Sequence, residues 1–172
     1  MDINAIGVIG CGLMGAGIAE VCARTRKDVV VVESSRALAD AGRRRVEASL
    51  SRAESKGKIP NAAEVLARMR FETDREAVAD RDLVVEAIVE DETVKTTLFR
   101  QLDEVVRDPE AILASNTSSI PIMKLAVVTK RPSHVLGGSL LQPGTGPLIG
   151  GAGAESGDRE EHHRTCSFLR AG

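Results

Sequence analysis

The opening residues leave the chain few choices of fold. Ala5 to Ile9 is a short apolar run suited to a buried strand, Gly10, Cys11 and Gly12 break it, and a small-residue helix resumes at Leu13. Gly10, Gly12 and Gly15 spell G-x-G-x-x-G. In that pattern the first glycine permits a tight turn, the second lets backbone approach a pyrophosphate, and the third lets helix pack against strand. The N–H groups that start the helix then face the phosphates. Three glycines alone would be only a flexible turn. The strand before them, the helix after them and the acid that follows point to a dinucleotide site.

That acid is Glu33, at the tip of the run Asp28 to Val32, which reads as a fully buried parallel strand with a polar end. A carboxylate there accepts both hydroxyls of an adenosine ribose and repels a 2′-phosphate, which favours NAD over NADP. The plainer alternative is a solvated carboxylate at a strand end. The neighbouring Ser34, Ser35 and Arg36 leave NADP open.

A chain of 172 residues has room for one domain with a real core. With no Trp or Tyr and only Phe71, Phe99 and Phe168, that core is built from Val, Ile, Leu and Ala, which suits a parallel sheet covered by helices. A net charge of -2 gives no reason to expect nucleic acid or a membrane surface as partner. Cys11, Cys22 and Cys166 are odd in number and lack metal-ligand spacing, so neither a disulfide framework nor a metal site is expected. Reduced thiols, no signal-peptide pattern and no run long enough to span a bilayer make a cytoplasmic location the expectation.

After Glu33, Ser34 or Ser35 can cap a long helix in which Leu38, Gly42, Val46, Leu50 and Ala53 recur at helical spacing, ending near Lys56 and Gly57. Its other face carries Arg43, Arg44, Arg45 and Arg52, read as a solvated stripe. Pro60 and Asn61 open a short helix, Ala62 to Met69, completing a helical hairpin after the second strand. Strands are expected at Met69 to Thr73, Leu83 to Val89 and Ala111 to Ala114, with a sixth starting at Val135 and Leu136. Helices are expected from Glu92 to Val106, with Val94, Leu98, Leu102 and Val105 on one face, and from Pro121 to Thr129. Ser115, Asn116, Thr117, Ser118 and Ser119 form a polar cluster at a strand's carboxyl end, where open parallel sheets bind ligands.

The motifs GCGLMGAGIAE, VVVVE, LVVEAIVEDETVK and ASNTSSIPI, in this order and spacing, resemble the 3-hydroxyacyl-CoA dehydrogenase family from Ile3 to about Gly137. The resemblance implies an α/β chain with a Rossmann doubly wound, mostly parallel sheet and the hairpin inserted after the second strand. It implies NAD as cofactor, an acyl-CoA, in particular (S)-3-hydroxybutyryl-CoA, as substrate, and a homodimer. Gly10, Gly12, Gly15 and Glu33 would form the adenosine and pyrophosphate site, with Glu90 and Lys95 near the cofactor. Read from the residues alone, Lys95 could equally be the helix-surface partner of Glu92 at i to i+3. Asn116 and Ser118 would hold the nicotinamide side and the substrate's 3-oxygen, although such a cluster also caps helices. Ser49 and Lys56 match positions that touch coenzyme A.

The family's catalytic histidine opens a His-Phe-Phe-Asn-Pro motif and is charged and oriented by a glutamate. Their places here hold Ser139 and Gly151, and neither replacement serves as a base near neutral pH. His134, His162 and His163 match nothing in that motif. The stretch Ser139 to Gly146 has a permitted codon spelling, TCA CTT CTT CAA CCC GGT ACC GGT, that one base later encodes His-Phe-Phe-Asn-Pro-Val-Pro. The same shift lets Gly150 to Gly153 encode Val-Glu-Leu-Val. A changed reading frame near Gly137 to Ser139 is therefore expected, and resequencing the gene tests it. Residues 1–137 then read as the NAD-binding domain, and 138–172 as a Gly-rich, disordered tail standing where the family has its C-terminal helical domain. Two readings of function remain: a dehydrogenase, or an NAD-binding fragment without turnover.

Overall fold

In the computed structural model, residues 2–137 are described. The expectations for 138–172, including Ser139, Gly151, His162 and His163, lie outside the described residues. Among the described residues six strands form one sheet: β1 (Ala5–Ile9), β2 (Asp28–Val32), β3 (Met69–Glu72), β4 (Leu83–Glu86), β5 (Ile112–Ser115) and β6 (Val135–Gly137). All neighbouring pairs are parallel, and the spatial order is β3-β2-β1-β4-β5-β6. The reversal between β1 and β4 opens a crevice at the carboxyl ends of these strands.

The helices are α1 (Leu13–Arg24), α2 (Arg36–Ser55), α3 (Ala62–Leu66), α4 (Glu92–Val105) and α5 (Ile122–Ala126). Ile6, Val8, Val29 and Val31 pack with Ala19 and Cys22 of α1 and Val46 and Leu50 of α2. Ile9, Val30, Val32 and Val84 pack on the opposite face with Leu98, Phe99 and Leu102 of α4 and Leu125 of α5. Because both faces are covered, the central strands are apolar at consecutive positions rather than alternating. Complete burial of a valine such as Val29, Val30 or Val31 contributes roughly 1.5–3 kcal/mol.

Local chemistry sets the helix starts. Ser35, not Ser34, caps α2 by accepting from Leu38 N at 3.3 Å. Asn61 accepts from Glu64 N at 3.2 Å to start α3, and Asp91 accepts from Val94 N at 2.9 Å to start α4. The α2–α3 hairpin follows β2 as the sequence predicts.

Several boundaries differ from the sequence expectation. Met69 does not end α3; it pairs with Val29 as the first residue of β3. The fourth strand stops at Glu86, because the Glu86 carboxylate accepts from Ile88 N at 2.7 Å and turns the chain, leaving Val89 exposed. The short α5 spans only part of the expected Pro121 to Thr129. In α2 Leu38 is exposed and Ala39 takes the core position. In α4 Val94 is exposed, while Lys95 and Phe99 are buried with Leu98 and Leu102.

Candidate functional site

The turn between β1 and α1 gives each glycine a separate physical reason. Gly10 has φ +91, and a Cβ there would lie 2.7 Å from Ala87 O. Its N–H donates to Val32 O at 2.9 Å, which ties the turn to β2. A Cβ on Gly15 would lie 1.9 Å from Gly10 O, so α1 rests directly on the turn. Around Gly12, by contrast, nothing lies within 4 Å of a built Cβ. Gly12 is also the N-cap of α1 and has no side chain to cap with, so the first-turn N–H groups open onto free space. Uncapped donors beside an open approach fit an anion such as the pyrophosphate of NAD.

Glu33 reaches back from the end of β2 onto this turn. Its Oε1 accepts from Cys11 N at 2.6 Å and its Oε2 from Ser34 N at 3.2 Å. The carboxylate is thus held at the turn rather than left loose in solvent, and each oxygen keeps a lone pair for a ribose hydroxyl. Arg36, one of the residues that left NADP open, is committed elsewhere: its Nε donates to Asp40 at 3.0 Å and its Nη1 to Phe71 O at 3.2 Å. Arg45 corrects the reading of a purely solvated stripe, since its Nη1 donates to Cys11 O at 2.6 Å. Cys11 is therefore held on both sides, by Glu33 at its N–H and by Arg45 at its carbonyl. Burial, reinforced by the Glu33 charge, pushes the Cys11 thiol up to about 11. It stays a neutral packing group, in contact range of Gly42 on α2.

A second cluster occupies the ends of β4 and β5. Lys95 and Glu86 are both fully buried, with Lys95 Nζ 3.0 Å from Glu86 Oε1 and 2.7 Å from Glu90 Oε2. Neither contact is an aligned hydrogen bond of Lys95, so the ammonium is held by charge between the two carboxylates. The surface pairing of Lys95 with Glu92 is overturned, because Glu92 pairs instead with Lys124 at 2.8 Å. Glu86 Oε2 also accepts from Ser115 Oγ at 2.5 Å. Glu90 Oε1 accepts from Thr117 Oγ1, from Ser118 N at 3.2 Å, and from Ser119 N and Oγ at 3.3 and 3.0 Å. Partial burial alone would raise the Glu90 carboxyl, but the Lys95 ammonium 2.7 Å away and the hydrogen bonds from Thr117 and Ser119 outweigh it and pull it down to about 2.

Asn116 and Ser118 sit directly on this cluster. Asn116 N donates to Glu86 O at 2.8 Å, and Ser118 is exposed above Glu90. The fold therefore brings Gly10, Gly12, Gly15 and Glu33 to one end of the crevice and Glu90, Lys95, Asn116 and Ser118 to the other. Ser49 and Lys56 lie elsewhere, at the far end and C-cap of α2. At about 1.5 Å per residue, Ser49 is roughly 20 Å along that helix from its cap. His134 lies just before β6, at the amino edge of the sheet, with Nε2 3.4 Å from Glu110. Sequence reasoning passed over Glu86 and the reach of Arg45. The available signal for Glu86 was that it is the one charge inside the apolar run Leu83 to Val89.

A parallel sheet in this strand order, with a glycine turn at the switch point and an acid on the next strand, defines a Rossmann dinucleotide-binding unit. The chain belongs to the family described as 3-hydroxyacyl-CoA dehydrogenase, NAD binding domain, which it matches over residues 5–145. That family is one of NAD-dependent oxidoreductases. A 3-hydroxybutyryl-CoA dehydrogenase of Mycobacterium tuberculosis is 52% identical over 143 residues, covering 82% of this chain and 50% of the relative. A probable 3-hydroxybutyryl-CoA dehydrogenase of Deinococcus radiodurans is 49% identical over 138 residues, covering 80% and 49%. The crystal structure of FadB2 from M. tuberculosis superposes with a TM-score of 0.78 at 52% identity, covering 80% of this chain and 49% of that one. The (S)-3-hydroxybutyryl-CoA dehydrogenase of Ralstonia eutropha gives 0.75 at 38% identity, covering 79% and 48%. The chain spans about half the length of the curated relatives it matches. Among the described residues no helix is long and apolar enough to cross a membrane, and no group of three or more His, Cys, Asp or Glu could hold a metal ion.

Proposed function

We propose that this chain is the NAD-holding half of an enzyme that oxidises (S)-3-hydroxybutyryl-CoA to the 3-oxoacyl-CoA. The observation that carries the reading is the junction of the uncapped α1 N-terminus at Gly12 with Glu33, whose carboxylate is fixed on Cys11 N at 2.6 Å. In this reading the first-turn N–H groups of α1 take the pyrophosphate and Glu33 takes the adenosine ribose. The bound nicotinamide supplies the hydride acceptor. Asn116 and Ser118, fixed over the β4 and β5 ends, orient the ring and the substrate's 3-oxygen. Ser49 and Lys56, on the outer part of α2, lie along the path of coenzyme A.

A second reading concerns this chain taken alone: it holds NAD without turnover. It is favoured by the position of His134, which is the sole histidine among the described residues and lies at the sheet edge opposite the crevice. With Ser139 and Gly151 where the resembling family has its base and that base's partner, no described group is placed to take the 3-hydroxyl proton. Titration with NADH by calorimetry, followed by incubation with NAD and (S)-3-hydroxybutyryl-CoA, separates the readings. Saturable binding with no NADH formed is the expected result. Absence of binding refutes the first reading, and sustained NADH formation refutes the second.

A further inference from the structure

The two carboxylates around Lys95 outnumber it. Glu86 and Glu90 each lie within ion-pair distance of Lys95, and the three sum to one negative charge, with Glu86 and Lys95 fully buried. The surrounding charges do not cancel that excess. Glu92 is neutralised by Lys124 at 2.8 Å, and Asp91 caps the start of α4, where the helix end supplies the opposing partial charge. The remaining partners of Glu86 are neutral: Ser115 Oγ and Ile88 N. Those of Glu90 are the neutral hydroxyl and N–H groups of Thr117, Ser118 and Ser119. Polar donors engage both carboxylates without removing their charge.

The position of this excess gives it a consequence. With Glu33 at the end of β2 and the glycine turn at the end of β1, a dinucleotide laid across the crevice carries its second nucleoside onto the ends of β4 and β5. This step rests on the NAD reading above. The nicotinamide ring is cationic in NAD+ and neutral in NADH, so a fixed charge beside it acts on one redox form and not on the other. We propose that Glu86, through the net-negative cluster it forms with Glu90 and Lys95, biases the site toward the oxidised cofactor. Glu86 is then a specificity-determining residue for cofactor redox state, acting by its charge from beneath the site. A buried carboxylate suits this task because solvent and salt screen it less than a surface one.

The test is separate calorimetric titration of the chain with NAD+ and with NADH, in wild type and in Glu86→Gln. The substitution keeps shape and most hydrogen bonding and removes the charge. A unit charge about 8 Å away in an effective dielectric of about 40 changes the relative affinity about sixfold. The ratio Kd(NAD+)/Kd(NADH) is therefore expected to rise about sixfold. Glu90→Gln is expected to raise it too, and Lys95→Gln to lower it. A ratio unchanged within twofold overturns the proposal, and so does an equal loss of affinity for both forms, which is what a purely structural role gives. If circular dichroism shows that Glu86→Gln does not fold, the partly exposed Glu90 carries the same test. Failure of wild type to bind either form would instead refute the dinucleotide reading, before any variant is compared.

Discussion

Gly12 and Gly15 are three residues apart in one motif, yet the structure assigns their substitution opposite consequences. A Cβ added at Gly15 lies 1.9 Å from Gly10 O and 2.9 Å from Gly10 C. A relaxed non-bonded contact needs roughly 3.5 Å, so helix and turn must part by about 1.5 Å. Overpacking typically costs about 1–3 kcal/mol when side chains can give way. Here the opposing atoms are backbone, which puts Gly15→Ala near about 3 kcal/mol. For a domain of this size that lowers Tm by roughly 6–12 °C. At Gly12 an added Cβ meets nothing within 4 Å, and the cost is that of a poorer N-cap, about 1 kcal/mol or less. The methyl does, however, fill the approach to the α1 N–H groups. Gly12→Ala is expected to weaken NADH binding at least tenfold, about 1.4 kcal/mol, with Tm within a few degrees of wild type. Scanning calorimetry and NADH titration of both variants decide the matter. Equal destabilisation by the two, or NADH affinity in Gly12→Ala within twofold of wild type, would refute the reasoning.

Three further outcomes follow from the ionisable groups. Because the folded Glu90 carboxyl sits at about 2, below its ordinary 4.5, its contribution to stability is complete above about pH 4.5 and is lost as pH falls toward 2. The stability gap between wild type and Glu90→Gln, measured by urea unfolding, is thus flat from neutral to about pH 5 and shrinks below it. Arg131 donates to Asp103 at 2.8 Å and to Val106 O at 2.8 Å, and the Arg131 and Asp103 side chains are nearly buried, so Arg131→Ala leaves Asp103 with the Lys130 N–H but no counter-charge and is expected to cost about 3–5 kcal/mol in the same assay. Burial holds the Cys11 and Cys22 thiols at about 11 and about 12, and peptide mapping after iodoacetamide treatment of the native chain at neutral pH is expected to find both unmodified.

The glycine turn and Glu33 were readable because the chemistry requires particular residues at fixed spacing on one local strand–turn–helix. The strands were readable because burial on both faces removes the polar alternation from Val29 to Val32. What escaped was non-local. Arg45 looks like any other arginine on a helix face until α2 packs against Cys11, where a Cβ at Gly42 would meet the cysteine at 2.6 Å. The resemblance put Lys95 beside Glu90, but the residues alone left a surface pairing with Glu92 equally open, because its partners, Glu86 and Glu90, belong to another strand and loop. One element end moved for the same reason: the sequence offered Met69 both to the end of a helix and to the start of a strand, and pairing with Val29 gives it to the strand, so the helix stops at Leu66. The matched residues run to 145, so the family assignment rests on far more of the chain than any single motif.

The central claim is that the β1–α1 turn and Glu33 together hold NAD and reject a 2′-phosphate. Parallel calorimetric titration of the chain with NADH and NADPH tests it most directly. Glu33 is anchored on Cys11 and Ser34, and Arg36 is engaged by Asp40 and Phe71 O, so a 2′-phosphate meets a fixed carboxylate with no free guanidinium from Arg36. NADH is expected to bind at one site per chain and at least ten times more tightly than NADPH, about 1.4 kcal/mol. Equal affinity for the two, or tighter binding of NADPH, would contradict the account.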